Sequence, residues 1–306
     1  MDGTATATAT PSIRQDSYTI AIRTVGYAVI SLFSILCVLP FVIMISSSFT
    51  AESWIVKHGF SILPMEFSLA TYRFLLAYPR TLIGAYAVTI LLTASGTAIG
   101  LFLTAMTGYA LQRQDFPYRN TISFLIYFTT LFSGGLVPFY LLMTKGLHLK
   151  DSYLAVLLPS LLSPWLIILM KNFLKTIPHS ITESAKIDGA GDFTIFLRLV
   201  LPLAKPALAT VGLFLAIGYW NEWYNSMLFL SANVPYRPLQ LYLYTVINTA
   251  FYINNSSAGA NVSMDAYPTE TMKLAIAVMA TIPCLFFYPM IQKYFVNGLT
   301  IGAVKG

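Results

Sequence analysis

The side chains with the most chemistry to offer lie in one apolar run, Tyr219-Trp220-Asn221-Glu222-Trp223-Tyr224-Asn225. Glu222 is the only acidic residue in any of the apolar windows delimited below. A carboxylate among hydrocarbon costs several kcal/mol unless it meets water or a polar partner, so it points into a helix bundle rather than outward. Three roles are open to it. Trp220, Asn221, Glu222 and Trp223 could line a substrate pathway, with the indole faces as platforms for sugar rings. Asn221 and Glu222 could instead pin neighbouring helices by hydrogen bonds. Glu222 could also carry the proton or sodium of a cation-coupled secondary transporter, a fold class that is expected to show inverted repeats; no convincing repeat is visible.

Other chemistry is absent from the pattern. No Gly-x-x-x-x-Gly-Lys-Ser/Thr run occurs, so the chain has no recognisable phosphate cradle of its own. His58, His148 and His179 are scattered, and Cys37 and Cys284 stand far apart in apolar segments. Neither set has metal-ligand spacing or the makings of a catalytic triad. The chain is therefore expected not to be an enzyme by itself, and to hold no metal or cofactor.

The elements that must position these residues follow from composition. Of the 306 residues 57% are hydrophobic and 10% charged, with mean hydropathy +0.69; soluble domains carry about a quarter charged residues. This is the composition of an all-α, polytopic membrane protein seated in a lipid bilayer. The net charge of +6 is dispersed over membrane-flanking loops and is no nucleic-acid signal. Six charge-poor windows are each long enough to span, which takes about 20 apolar residues. They are Thr24–Phe49, Thr81–Leu111, Asn120–Met143, Ser152–Met170, Leu203–Leu230 and Leu274–Gln292. Residues 1–23, with a Thr-Ala run, read as a disordered tail; 24–80 as the first span and an external loop; 81–296 as the core; 297–306 as a C-terminal tail. Thr50–Arg80 and Ser231–Met272 read as external segments whose aromatic residues anchor at the interface or meet a soluble partner. Ser133-Gly134-Gly135 would permit close helix approach or a hinge.

The longest polar interruption between apolar windows, Pro178–Pro206, has helix signals of its own. Ser180 and Glu183 have capping-box spacing, Gly189 can close a short helix over Ile181–Asp188, and Asp192 can cap a second. In that second helix, Phe193–Leu201, an apolar stripe of Phe193, Phe196, Leu197 and Val200 would need burial, and Pro202 limits its length. A hairpin lying among lipid headgroups and a docking element for a soluble partner both fit.

Glu183-Ser184-Ala185, Gly189 and Leu199-Val200-Leu201-Pro202 resemble the EAA loop of ABC importer permeases, with Ser184 in place of the first Ala and Leu199 in place of Ile. The ending Gln292–Gly306 resembles that of the second permease subunit of maltose-type sugar importers. The resemblance implies a cytoplasmic helix-turn-helix coupling loop that docks on an ATPase subunit. Ser180, Glu183, Gly189 and Asp192 would set its shape, Phe193, Phe196 and Val200 would make the contact, and Ala185 and Pro202 belong to the same coupling set. It further implies a homologous second permease, an ATPase dimer that binds ATP and Mg, an extracellular solute-binding protein, and oligosaccharide as cargo. Apart from Lys205 at the edge of the fifth, the windows contain no Lys or Arg to pair with a carboxylate, which favours a neutral oligosaccharide or leaves charged contacts to the companion subunit. The setting would be the bacterial cytoplasmic membrane with both termini inside, where the larger share of the 18 Lys and Arg also falls.

Overall fold

The computed structural model describes residues 17–77, 79–255 and 268–285. The C-terminal tail and the end of the sixth window lie outside them, as do residues 1–16. The described residues form helices and turns with no strand, apart from a single bridge between Thr50 and Phe67.

Helix α1 (Ser17–Ser48) starts within the stretch expected to be a disordered tail, so residues 17–23 are helical instead. Its apolar side chains are exposed on nearly all sides, as a lipid-facing helix requires. Two short helices, α2 (Glu52–His58) and α3 (Ala70–Leu75), follow in the expected external segment. Then comes α4 (Pro79–Gln112), whose 34 residues bear out the unusual length of the second window. Buried Leu92, Gly96, Gly100, Thr104 and Gly108 recur every four residues along it and make one seam. The small residues set the packing distance. A Cβ at Gly96 would lie 2.4 Å from the Tyr219 ring, and one at Gly108 would lie 2.9 Å from the Met170 side chain. Helix–helix association in lipid relies on such close approach, because burying apolar surface gains little there.

The third, fourth and fifth windows are broken rather than straight. Helices α5 (Arg119–Leu131) and α6 (Leu136–Leu141, extended by a π turn over Leu142–Gly146) meet at 112° across Ser133-Gly134-Gly135. Gly135 has φ +88°, and nothing lies within 4 Å of a Cβ built on Gly134. The glycines therefore make a sharp corner, and among the described residues no other helix packs closely against them. Helix α7 (Tyr153–Leu157, with a 3-10 turn over Leu158–Ser160) meets α8 (Pro164–Leu174) at 44°. After α9 (His179–Ile187), α10 (Asp192–Ile195) runs through a π turn (Phe196–Val200) into α11 (Leu201–Leu203). That unit meets α12 (Lys205–Trp220) at 85°. α12 stops before Asn221, and α13 (Tyr224–Phe229) begins after a break.

The expected external segment Ser231–Met272 is not simply loop. It contains α14 (Leu239–Asn255), which turns Leu239, Leu243 and Ala250 into a core shared with Leu82, Trp220, Met272 and Ile276. Its β-branched and aromatic content hid an apolar face of helical period. The Thr89 hydroxyl accepts from the Leu239 N–H at 2.7 Å, so α4 caps α14 across the bundle. A last helix, α15, covers 269–285. Its start is held by Glu52 of α2, whose carboxylate takes the N–H groups of Glu270 and Thr271 at 2.8 Å each and the Thr271 hydroxyl at 2.7 Å.

Candidate functional site: the hairpin and the polar groove

At one end of the bundle, α9 and α10 form the hairpin. Helix α9 begins just before Ser180, with Pro178 at the cap position and no side-chain acceptor there. The capping box is therefore not formed. The helix stops as expected: Gly189 has φ +79°, its N–H reaches the Lys186 carbonyl at 3.0 Å, and the Ala190 N–H reaches the Ala185 carbonyl at 2.9 Å. These paired bonds satisfy carbonyls left over at the helix end and need a residue at ease in the left-handed region. Ala185 and Ala190 both pack against the main core.

Asp192 does not cap α10 with its side chain. Its carboxylate sits 2.6 Å from the Arg113 guanidinium just beyond α4. Arg113 also pairs with Asp115, and Lys186 of α9 binds Asp115 at 2.8 Å. Hydrogen bonds from Arg113, then from Lys186, hold the Asp115 carboxyl well below the usual carboxylate range; the Asp115 bond in turn raises Arg113. Each pair is solvent-accessible, which limits it to about 0.2–1 kcal/mol. Together they tie both arms of the hairpin to α4.

The apolar stripe divides. Phe196 is 1% exposed and stacks on Tyr109 at 5.3 Å; Val200 is 2% exposed in the same core. Both are spent on the chain's own bundle, which corrects the expectation that they meet a partner. Phe193, at 59%, and Ile187, at 86%, are the exposed apolar tips. Ile187 was not anticipated. Its signal was its place on the last helical turn before Gly189, close to the packed Ala185. Glu183 and Pro202 are exposed.

The Trp220–Trp223 group is dispersed by the helix break. Trp220 is 7% exposed, its Nε1 donating to the Ala280 carbonyl at 3.1 Å, so it belongs to the core and lines no pathway. Glu222 lies outside any continuous helix. Its carboxylate accepts the Asn225 N–H at 2.7 Å and the Asn225 side-chain amide at 3.1 Å, closing the first turn of α13. Asn221 donates to Ile217 at 3.0 Å and accepts from Gln240 at 3.3 Å. The polar pair thus serves helix ends. Trp223 remains presented, as does the exposed Asn221, and the Trp223 ring lies 5.2 Å from that of Tyr244.

Tyr244 opens onto a groove of about 540 Å³ between α13, the 231–238 loop and α14. Met227, Arg237, Thr245, Asn248 and Tyr252 line it with Tyr244. Sequence reasoning missed this face, although Leu241, Thr245, Asn248 and Tyr252 follow helical spacing.

Residues 136–301, more than half the chain and including the hairpin, match the family model described as "Binding-protein-dependent transport system inner membrane component". The chain belongs to this family. A polygalacturonan/rhamnogalacturonan transport system permease protein, YtcP of Bacillus subtilis, is 39% identical over 282 residues, covering 92% of this chain and 96% of the relative. The arabinooligosaccharides transport system permease protein AraQ of the same organism is 28% identical, over 90% of this chain and 93% of the relative. Among solved structures, a bacterial ABC transporter involved in the import of the acidic polysaccharide alginate aligns with TM-score 0.76 and 32% identity, over 94% of this chain and all of that one. The chain is the permease subunit of an ABC importer, a transport component rather than an enzyme. A cation-coupled carrier built on Glu222 gives way to this reading.

Proposed function

We propose that this permease forms, with a homologous second permease, the membrane channel of an importer for oligosaccharides. A solute-binding protein delivers the sugar outside, and two ATPase subunits, which bind ATP and Mg, act inside. The hairpin is the cytoplasmic coupling element, and both termini share its side of the membrane; the broken windows then complete six spans. Closure of the ATPase dimer moves the hairpin, and the bundle follows as a rigid body.

The observation that carries the mechanism is the division of the hairpin into a keyed side and a bare side. Phe196 and Val200 root it in the core with α4 and α8. Ile187 and Phe193 stand bare on either side of the Gly189 turn. An apolar tip on a rooted lever is what a groove on a moving partner needs. Co-purification tests it: Ile187→Asp should lower ATPase recovery several-fold while the permease still inserts and pairs. Unchanged recovery with full ATP-driven uptake would end the docking role of this tip. Cysteine labelling should find Lys186 accessible only from the cytoplasm and Lys57 only from outside.

The carbohydrate assignment is supported by the relatives and the structural neighbour, which are named for polygalacturonan/rhamnogalacturonan, arabinooligosaccharides and the acidic polysaccharide alginate.

A further inference from the structure

The groove beside α14 lies away from the hairpin. The 16 residues of α12 advance about 24 Å from the hairpin end before the chain breaks and turns into α13. The importer reading, on which a role for the groove in transport depends, puts it in the outer half of the permease.

Its chemistry is selective. α14 has two faces: Leu239, Leu243 and Ala250 are buried in the core, while Tyr244, Thr245, Asn248 and Tyr252 face the groove. Tyr244 is 43% and Tyr252 75% exposed, and the Tyr244 ring is backed by Trp223. A ring face held as that of Tyr244 is can stack on the C–H face of a pyranose, and the exposed Tyr252 ring stands about two helical turns further along α14. The Asn248 amide donates its N–H to the Tyr244 carbonyl at 2.9 Å, and the Thr245 hydroxyl donates to Leu241 at 2.8 Å. Both side chains therefore keep acceptor oxygens for sugar hydroxyls. Arg237 is the one cation of the lining, which contains no carboxylate. It makes no ion pair or side-chain hydrogen bond among the described residues, whereas Arg113 is fully engaged. A half-buried guanidinium with no anion beside it offers a planar fork for a carboxylate.

We infer that this groove is a saccharide subsite that selects for uronates, with Arg237 binding the sugar carboxylate and Tyr244 and Tyr252 receiving the ring. Arg237 lies outside the apolar windows, so it supplies to acidic cargo a charged contact that the reading of the windows left either unneeded by a neutral oligosaccharide or to the companion subunit.

Calorimetric titration of the purified complex of two permeases and two ATPases, with trigalacturonate, trimannuronate and maltotriose, tests the site without the solute-binding protein. The wild type should bind at least one uronate trimer, more weakly at high salt, and prefer it to maltotriose. Arg237→Gln should weaken uronate binding by at least about tenfold, the effect of losing one charged hydrogen bond. Arg237→Lys, which keeps the charge but not the planar fork, should recover only part of it, and that partial recovery excludes misfolding as the cause. Uronate binding unchanged in Arg237→Gln, or maltotriose bound as tightly as the uronates by the wild type, would overturn the subsite. So would a variant that loses the second permease on purification but keeps uronate affinity, because the face would then be a subunit contact. Failure of every trimer to bind also overturns the subsite. A separate assay distinguishes that failure from failure of the importer reading. In proteoliposomes with the binding protein, ATP-dependent uptake of any saccharide keeps the importer and discards only the uronate site. No uptake of any saccharide discards the importer reading itself.

Discussion

The two ends of this permease hold their polar groups in opposite ways. At the hairpin end, Arg113, Asp115, Lys186 and Asp192 satisfy one another, and Phe196 is driven into the core between Tyr109 and Phe102. At the groove end, Glu270 and Lys273 pair with each other, but Glu52, Glu222 and Arg237 make no ion pair among the described residues. Glu52 holds the start of α15, Glu222 the first turn of α13, and Arg237 has no anion among the described residues. The first arrangement makes a lever, since motion of the tip must move α4 and α8 with it. The second leaves a surface able to accept a ligand. In the proposed reading, cross-linked charge transmits force, whereas a spare charge recognises.

Removing the root of the lever should have the largest effect. Phe196→Ala opens a cavity in the core and should cost about 3–5 kcal/mol, seen as a large fall in the melting temperature of the detergent-solubilised permease. Ile187→Asp, on the bare side, should leave that temperature nearly unchanged. Equal effects of the two would erase the distinction between keyed and bare faces.

Next comes the turn. A Cβ at Gly189 would meet nothing within 4 Å, so the penalty of Gly189→Val is pure backbone strain at φ +79°, about 1–2 kcal/mol. Transport should fail through a misplaced tip while insertion persists. Gly189→Asn, which tolerates that region better, should transport measurably; if Asn and Val behave alike, the turn geometry is not what matters.

A smaller effect is expected from the ion network, of about 1 kcal/mol for Asp115→Asn given its exposure. Its pH dependence has a definite sign. The folded-state pKa of Asp115 is depressed, so its stabilisation is complete above the unfolded value of about 3.9 and is lost as pH falls through the lower folded value. The melting difference between wild type and Asp115→Asn should be flat from about pH 5 to 8 and shrink only in stronger acid. A difference that grows on acidification would contradict the pairing.

The smallest effect belongs to Glu222→Gln. The amide oxygen can still accept the Asn225 N–H, so the cost should stay below about 1 kcal/mol and ATP-driven uptake should survive a protonophore. Abolished accumulation in this variant, together with collapse of wild-type uptake under the protonophore, would return the coupling role to Glu222.

Much was determined by sequence alone, wherever the deciding interaction is local. The all-α membrane character follows from composition, because unpaired backbone groups are not tolerated in lipid. The end of α9 follows from Gly189, because the left-handed residue that closes a helix is set within a few positions. The length of α4 follows from its unbroken apolar run. What tertiary structure decided are the partners of polar groups distant in the chain. Ser180 and Asp192 have capping residue types, yet Pro178 starts α9 and Asp192 turns to Arg113, 79 positions earlier in the numbering. Glu222 carried the signature of a functional carboxylate, but a helix break beside it supplied orphan N–H groups, and capping consumed the charge. Phe193 and Phe196 share a helical stripe, but the position of α4 buries one and leaves the other bare. Local patterns name the groups that need partners. Which partner each one finds depends on how the helices pack, and in this chain that packing is set by small residues on α4 that let Tyr219 and Met170 come close.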